Sequence, residues 1–234
     1  MQYSLRSILG SFVDFVYPPL CLVCDSLLED GRRQVCDACW RSMALARDHP
    51  GLIDEVRHKL GEDVDDVRAA FVFQKTGPLQ KLVHALKYEK MEEIGVWLGE
   101  RVGEELRQRG DQPDLLIPVP LHRAKERERG YNQAELVARG CATQVGGRVE
   151  TRLLRRVRNT RTQTKLSIEE RKLNVADVFE VAPAFSCMVA GAEVLIVDDV
   201  ITTGATIGAC GRALRAAGAV RVLAGAVALA DHAA

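Results

Sequence analysis

Apolar positions along this chain keep switching between a period near two and a period near 3.6, which sets strands and helices side by side in the sequence. Val67 to Phe73 reads as a strand, and Thr76-Gly77-Pro78 breaks it. Leu79, Leu82, Val83 and Leu86 then recur at helical spacing as far as Lys87-Tyr88. The pattern predicts a further helix over about Glu92 to Gln108 and a short buried strand at Leu115-Leu116-Ile117. Beyond it come a helix over Ala134 to Gln144, a strand over Val149 to Leu154 and a strand over Glu193 to Val197, then a helix over Gly204 to Ala217 and a strand over Val220 to Leu229. Strand, helix and strand in that order argue an α/β domain, a parallel sheet with flanking helices. Upstream, Leu5, Ile8, Leu9, Phe12, Val13 and Val16 make a short amphipathic helix. Docking on the body is its ordinary reading; a membrane-surface or partner-binding helix is the alternative.

The 234 residues suffice for one substantial domain and a small one, and we place the boundary near residue 50: 1–50 for the helix and a cysteine-rich ribbon, 51–234 for the α/β domain. Lys plus Arg is 32 and Asp plus Glu is 32, so the chain as a whole has no strongly basic surface for nucleic acid. The balance is local. Arg148 to Lys172 is dense in arginine and contains no Phe, Tyr or Trp, whereas acids gather between Asp54 and Asp66. If single strands bind, the expected contacts are that basic segment and Arg32, Arg33 and Arg41, with little stacking. The sequence shows no apolar run of transmembrane length and no signal-peptide pattern, so the expected location is cytoplasmic.

Cys21-Leu-Val-Cys24 and Cys36-Asp-Ala-Cys39 are two C-x-x-C knuckles separated by a polar loop. Four thiolates so paired suit a tetrahedral structural Zn²⁺, since each knuckle directs two sulfurs at one ion. Disulfides or a redox C-x-x-C are weaker readings in a reducing compartment. His49 is a spare candidate ligand, and Cys141, Cys187 and Cys210 are expected to be buried, inert thiols.

The densest chemistry lies in Val194-Leu-Ile-Val-Asp-Asp-Val-Ile-Thr-Thr-Gly-Ala-Thr206. A buried strand is expected to end at Asp198 and Asp199, which could grip ribose hydroxyls or Mg²⁺ at the carboxyl edge of a parallel sheet. Thr202, Thr203, Gly204, Ala205 and Thr206 then turn into a helix whose hydroxyls and free N–H groups suit a phosphate. The run resembles the phosphoribosyl pyrophosphate (PRPP) loop of type I phosphoribosyltransferases. A loop carrying Arg123, Lys125, Arg127 and Arg129 is expected at the same edge, where its cations could cover a departing diphosphate. His122 is the nearby candidate acid or base, although a histidine so flanked is more often a structural or phosphate-contacting group, the alternative to proton transfer.

Other motifs widen the resemblance. They are Pro-Pro-x-Cys-x-x-Cys at 18–24, His-Ala-Leu-Lys-Tyr at 84–88 and Pro-Val-Pro-Leu-His at 118–122. Further on stand Arg-Glu-Arg-Gly-Tyr-Asn-Gln-Ala at 127–134, Arg-Asn-Thr-x-x-Gln-Thr-x-Leu-Ser at 158–167 and Arg-x-x-Asn-Val at 171–175. Together with the cysteine knuckles they resemble the ComF, or ComFC-type, competence proteins over nearly the whole chain. That resemblance implies a type I phosphoribosyltransferase-like parallel sheet behind an N-terminal zinc ribbon. It also implies PRPP with Mg²⁺ as ligand, Lys87 and Tyr88 in the site, and a role in natural transformation with single-stranded DNA and competence machinery proteins as partners. Two other readings stay open: a purine or pyrimidine salvage phosphoribosyltransferase, and a non-catalytic PRPP sensor or DNA-binding adaptor.

Overall fold

The computed structural model describes residues 18–28, 34–157 and 179–231, apart from the side chain of Arg123. The N-terminal amphipathic helix, Arg32, Arg33 and the motifs at 158–175 lie outside the described residues. Five strands form one parallel sheet: β1 (Asp66–Phe73), β2 (Leu115–Pro118), β3 (Arg148–Val149), β6 (Glu193–Ile201) and β7 (Arg221–Ala230), in the order β1-β7-β6-β2-β3. The strand expected over Val149 to Leu154 divides into β3 and β4 (Leu154–Arg156), and β4 pairs antiparallel with β5 (Phe179–Val181) as a separate ribbon. Glu150 closes β3 by bonding its N–H to Leu116 O, and the chain then leaves the sheet.

Alternation along the central strands divides the core in two. Val194 and Ile196 of β6 face α2 (Pro50–Leu60) and α8 (Ala205–Ala216), whose Ile53, Val56, Leu60, Ile207 and Leu214 are buried with them. Leu195 and Val197 face the opposite layer, α3 (Pro78–Tyr88), α4 (Glu92–Gln108) and α6 (Gln133–Val145). Sheets buried on both faces read as unbroken apolar runs, and β7 does so from Val222 to Leu229. In that second layer α4 and α6 pack backbone against backbone. A Cβ added at Gly99 would lie 2.1 Å from Val137 O, and one at Gly140 would lie 1.9 Å from Val96 O, so glycine is what permits the approach.

The cysteine ribbon closes onto the same layer. Leu22 N–H bonds to Gln34 O at 2.9 Å, which holds the two knuckles together, and α1 (Asp37–Arg41) starts on Cys36. Cys21, Leu28, Val35, Cys39 and Met43 share a core cluster with Phe71 of edge strand β1, and Val72 N–H bonds to Ala44 O at 2.9 Å. At the opposite strand ends, buried Arg68 of β1 bonds Asp111 at 2.6 Å and Asp66 at 2.5 Å, while Arg221 of β7 reaches Asp111 at 2.7 Å. That network ties β1, β7 and the turn before β2 together at their amino ends, leaving the carboxyl edge to the remaining chemistry.

Candidate functional site

Because every strand of the main sheet runs the same way, the segments after β1, β2 and β6 all emerge at one edge. β6 is longer than the sequence pattern indicates. Its pairing with β7 continues through Asp198↔Ala226 to Ile201↔Leu229, so Asp198 and Asp199 sit inside the strand and not past its end. Adjacent strand residues point to opposite faces, and the acids do so here. Asp199 Oδ2 lies 2.5 Å from Lys87 Nζ at the end of α3. Asp198 falls on the α8 side, near enough to the buried Cys210 that its charge helps push that thiol up. Burial, and then the charge of Asp199, push the Asp198 carboxyl up to about 8; the Asp199 N–H at 2.8 Å and Lys87 act in the other direction.

Thr202 and Thr203 are exposed, and the chain turns at Gly204, whose φ of 76° is costly for any residue with a Cβ. Thr203 Oγ1 accepts from Ala205 N–H at 3.4 Å, and Gly204 O from Gly208 N–H at 2.8 Å, which starts α8. Thr206 lies exposed in its first turn, where backbone N–H groups lack helical acceptors.

The arginine-rich stretch after β2 is a helix, α5 (Arg123–Arg129), and not the expected loop. His122 explains its start: the ring Nδ1 accepts from Ala124 N–H at 3.2 Å as a helix cap, and Gly130 ends the helix at a φ of 88°. The imidazole therefore has a structural task, which is the alternative noted from sequence. Arg127 is exposed on α5, while Arg129 donates to Gln133 Oε1 at 2.8 Å and lies 5.6 Å over the Tyr88 ring. Tyr131 OH bonds Leu86 O, and Asn132 Nδ2 donates to Val119 O at 3.0 Å. The Arg-Gly-Tyr-Asn-Gln run is thus a set of ties that fixes the turn between α5 and α6 to the ends of α3 and β2.

Lys87, Tyr88, Asp199 and Arg129 are accordingly brought into one contact chain, although they come from three separate segments. Composition and periodicity carried no signal for the Lys87 contact; only the motif resemblance pointed to it. Three of the arginines expected to meet DNA are engaged within the chain: Arg155 bonds Glu180 at 3.1 Å, Arg148 pairs with Glu150, and Arg156 lies 5.7 Å over Phe179, whereas Arg41 and Arg152 are exposed.

At the ribbon, the sulfurs of Cys21, Cys24, Cys36 and Cys39 all lie within 4.8 Å of one another, with Cys24 and Cys36 at 3.7 Å. Tetrahedral zinc with metal–sulfur bonds of about 2.3 Å needs sulfurs about 3.8 Å apart, so the donor set fits. Backbone N–H groups favour thiolates there: those of Val23 and Cys36 both reach Cys21 at 3.4 Å, and that of Cys39 reaches Cys36 at 3.4 Å. Cys24 is lowered by the Ser26 hydroxyl, Cys36 by the Cys39 N–H, and Cys21 by the Cys36 N–H against its burial. Burial and the three neighbouring sulfurs drive Cys39 up, a repulsion that a divalent ion relieves. His49 is not in the cluster. Cys141 and Cys210 are buried as expected, but Cys187 is exposed on the short helix α7 (Ser186–Val189).

Comparison with known proteins places these features together. Residues 12–50 match the double zinc ribbon domain model and residues 135–234 the phosphoribosyl transferase domain model. The DNA utilization protein YhgH of Salmonella typhimurium is 31% identical over 220 residues, covering 88% of this chain and 94% of that protein. Competence protein F of Haemophilus influenzae is 35% identical over 106 residues, 45% of this chain and 46% of its own. Competence protein ComFC of Bacillus subtilis is 33% identical over 104 residues, 44% of this chain and 39% of its own. The chain belongs to the ComF-type family. As in that family, a phosphoribosyltransferase-type α/β domain follows a zinc ribbon. The 12–50 match holds four cysteines in this ComF-type chain, ligands for one tetrahedral ion. No helix among the described residues is long and apolar enough to cross a membrane.

Proposed function

We propose that the carboxyl edge binds PRPP with Mg²⁺, and that this ComF-type protein acts in natural competence, in the handling of single-stranded DNA. The observation that carries the PRPP reading is the Asp199–Lys87 pair, at 2.5 Å, standing at the edge from which β6 turns through Gly204 into α8. Cation, carboxylates and free helix N–H groups in that order complement a sugar bearing a phosphate at one end and a diphosphate at the other.

In this reading Asp198 and Asp199 hold the ribose hydroxyls directly or through the metal, and Thr202, Thr203, Gly204, Ala205 and Thr206 hold the 5′-phosphate. Lys87, Arg127 and Arg129 are the cations for the diphosphate. Bound Mg²⁺ supplies charge neutralisation for that diphosphate; the acidic pair and the cations orient the sugar and exclude competing poses. The capping role of His122 favours a positioning task over proton transfer. Residues 1–50 are assigned to the amphipathic helix and zinc ribbon and 51–234 to the phosphoribosyltransferase-like domain, in a cytoplasmic protein whose approach to the membrane is through partners. The competence role and DNA as partner rest on the relatives' names, DNA utilization protein and competence protein.

Calorimetric titration with PRPP, with and without Mg²⁺, tests the reading. Asp198→Asn combined with Asp199→Asn is expected to abolish PRPP binding in a folded protein, and undiminished affinity overturns the assignment. Release of pyrophosphate on adding a free purine or pyrimidine would instead mark a salvage enzyme, whereas PRPP binding with DNA binding and no turnover marks an adaptor.

A further inference from the structure

The rim beside Lys87 carries side chains that the PRPP contacts leave largely unused. Tyr88, the last residue of α3, is 62% exposed, and the other Phe, Tyr and Trp side chains among the described residues are buried or half-buried. Such openness is unusual for an aromatic side chain on a helix that otherwise buries Leu79, Leu82, Val83, Ala85 and Leu86. The ring is not loose. His84, one turn earlier, lies 4.9 Å from it at 44°, and the Arg129 guanidinium carbon lies 5.6 Å from its centroid. Arg129 is held in turn by Gln133, and Tyr131 ties the same turn to Leu86.

Two residues on, Lys90 is exposed and has a φ of 56°, a left-handed conformation that lysine seldom adopts. The segments on either side of the ring are mostly positive, although Glu89 pairs with His84 at 3.3 Å. Lys75 to Met91 holds four lysines against one glutamate, and Arg123 to Arg129 holds four cations against two glutamates. Lys81 is taken by Val23 O at 2.6 Å, which leaves the positive charge concentrated toward the Tyr88 end.

An aromatic cleft elsewhere is chemically different. A cleft of about 680 Å³ between the ribbon and α4 is lined by Trp40 and Trp97, but also by Asp37, Glu100, Glu104 and Glu105 against three arginines. Trp40 is already packed by Phe71 at 6.1 Å and by Arg101 at 5.2 Å. That cleft does not suit an anion, and the Tyr88 rim does.

We infer that Tyr88 is a stacking platform for a planar nucleobase carrying phosphate, with Lys90 as the cation for that phosphate and Arg129 holding the ring. The base comes either as a mononucleotide or within a single strand; the recognition chemistry is the same. The inference extends the PRPP reading, on which any acceptor role for that base rests, because it sets the base at the edge that carries the ribose-binding acids. It also sets a nucleic-acid contact apart from Arg148, Arg155 and Arg156, which are paired with Glu150, Glu180 and Phe179.

The test is equilibrium binding of thymidine 5′-monophosphate and of oligodeoxythymidylate to the full-length protein, wild type, Tyr88→Ala and Tyr88→Phe. Tyr88→Ala is expected to weaken binding about tenfold or more, the usual worth of one stacked base, and Tyr88→Phe to retain it. Dependence on Tyr88 for both probes identifies the base itself as the determinant; dependence for the oligomer alone identifies a strand. PRPP affinity is measured on the same preparations, and probe binding should fall further than PRPP affinity does, because Tyr88 also packs against Arg129. The inference is overturned if the wild type binds neither probe, or if a folded Tyr88→Ala variant binds them as the wild type does. Probe binding that needs Tyr88 in a protein with no affinity for PRPP would remove the PRPP reading and leave the platform standing.

Discussion

Replacing Asp198 by Asn should stabilise the protein in a way that depends on pH. Folding moves this carboxyl from its ordinary 3.8 up to about 8, because burial removes water and Asp199 adds a like charge. The folded state therefore holds a proton that the unfolded chain releases. For a raised acid the stabilising contribution is complete below about 3.8, declines as pH rises and is exhausted near pH 8. At about 1.4 kcal/mol per pH unit the interval sets a ceiling near ~6 kcal/mol. Asp198 is only part-buried, so screening by water reduces the figure to about 2 kcal/mol. An amide of the same shape escapes this penalty, so Asp198→Asn should leave Tm unchanged near about pH 4 and raise it by roughly 4 to 8 °C at about pH 8. Circular dichroism melts across that range, without PRPP or Mg²⁺, measure it. As a control, Asp199→Asn should flatten the dependence of the parent protein by removing the like charge. A Tm difference that is the same at every pH, or that shrinks as pH rises, would refute the reasoning.

Two further outcomes test the frame around the site. Gly140→Ala adds a Cβ that would lie 1.9 Å from Val96 O, so α4 and α6 must separate; after the gain in helix propensity a net loss of about 2 kcal/mol is expected in a denaturant titration, and no change would mean the helices are not so closely held. Removing zinc with a chelator should release one ion per chain and expose the Trp40–Phe71 seam, because Cys21 and Cys39 share their core with Phe71; tryptophan fluorescence should shift to the red, and protein purified without metal would count against the site.

Much of this molecule is legible in its sequence for reasons of period and local chemistry. The helix over Glu92 to Gln108 and the strands around Val67, Leu115, Val194 and Val222 follow from apolar spacing, since each buries a defined face. The cysteine knuckles and the Asp-Asp to Thr-Thr-Gly run state their chemistry in adjacent residues, so no folding was needed to find them. What the tertiary structure decided is what adjacency cannot express. Strand pairing with β7 carries β6 past Val197, and alternation then divides Asp198 from Asp199, one toward α8 and one toward Lys87. The stretch from Arg123 to Arg129 reads as a solvated loop by composition, yet the His122 cap and the turn at Gly130 make it a helix. Gly99 and Gly140 look like helix-weakening residues until two backbones are seen to meet there. The meeting of Lys87 with Asp199 joins residues far apart in the chain, and it exists because a parallel sheet delivers the segments after β1 and β6 to one edge, where burial and charge act on them together.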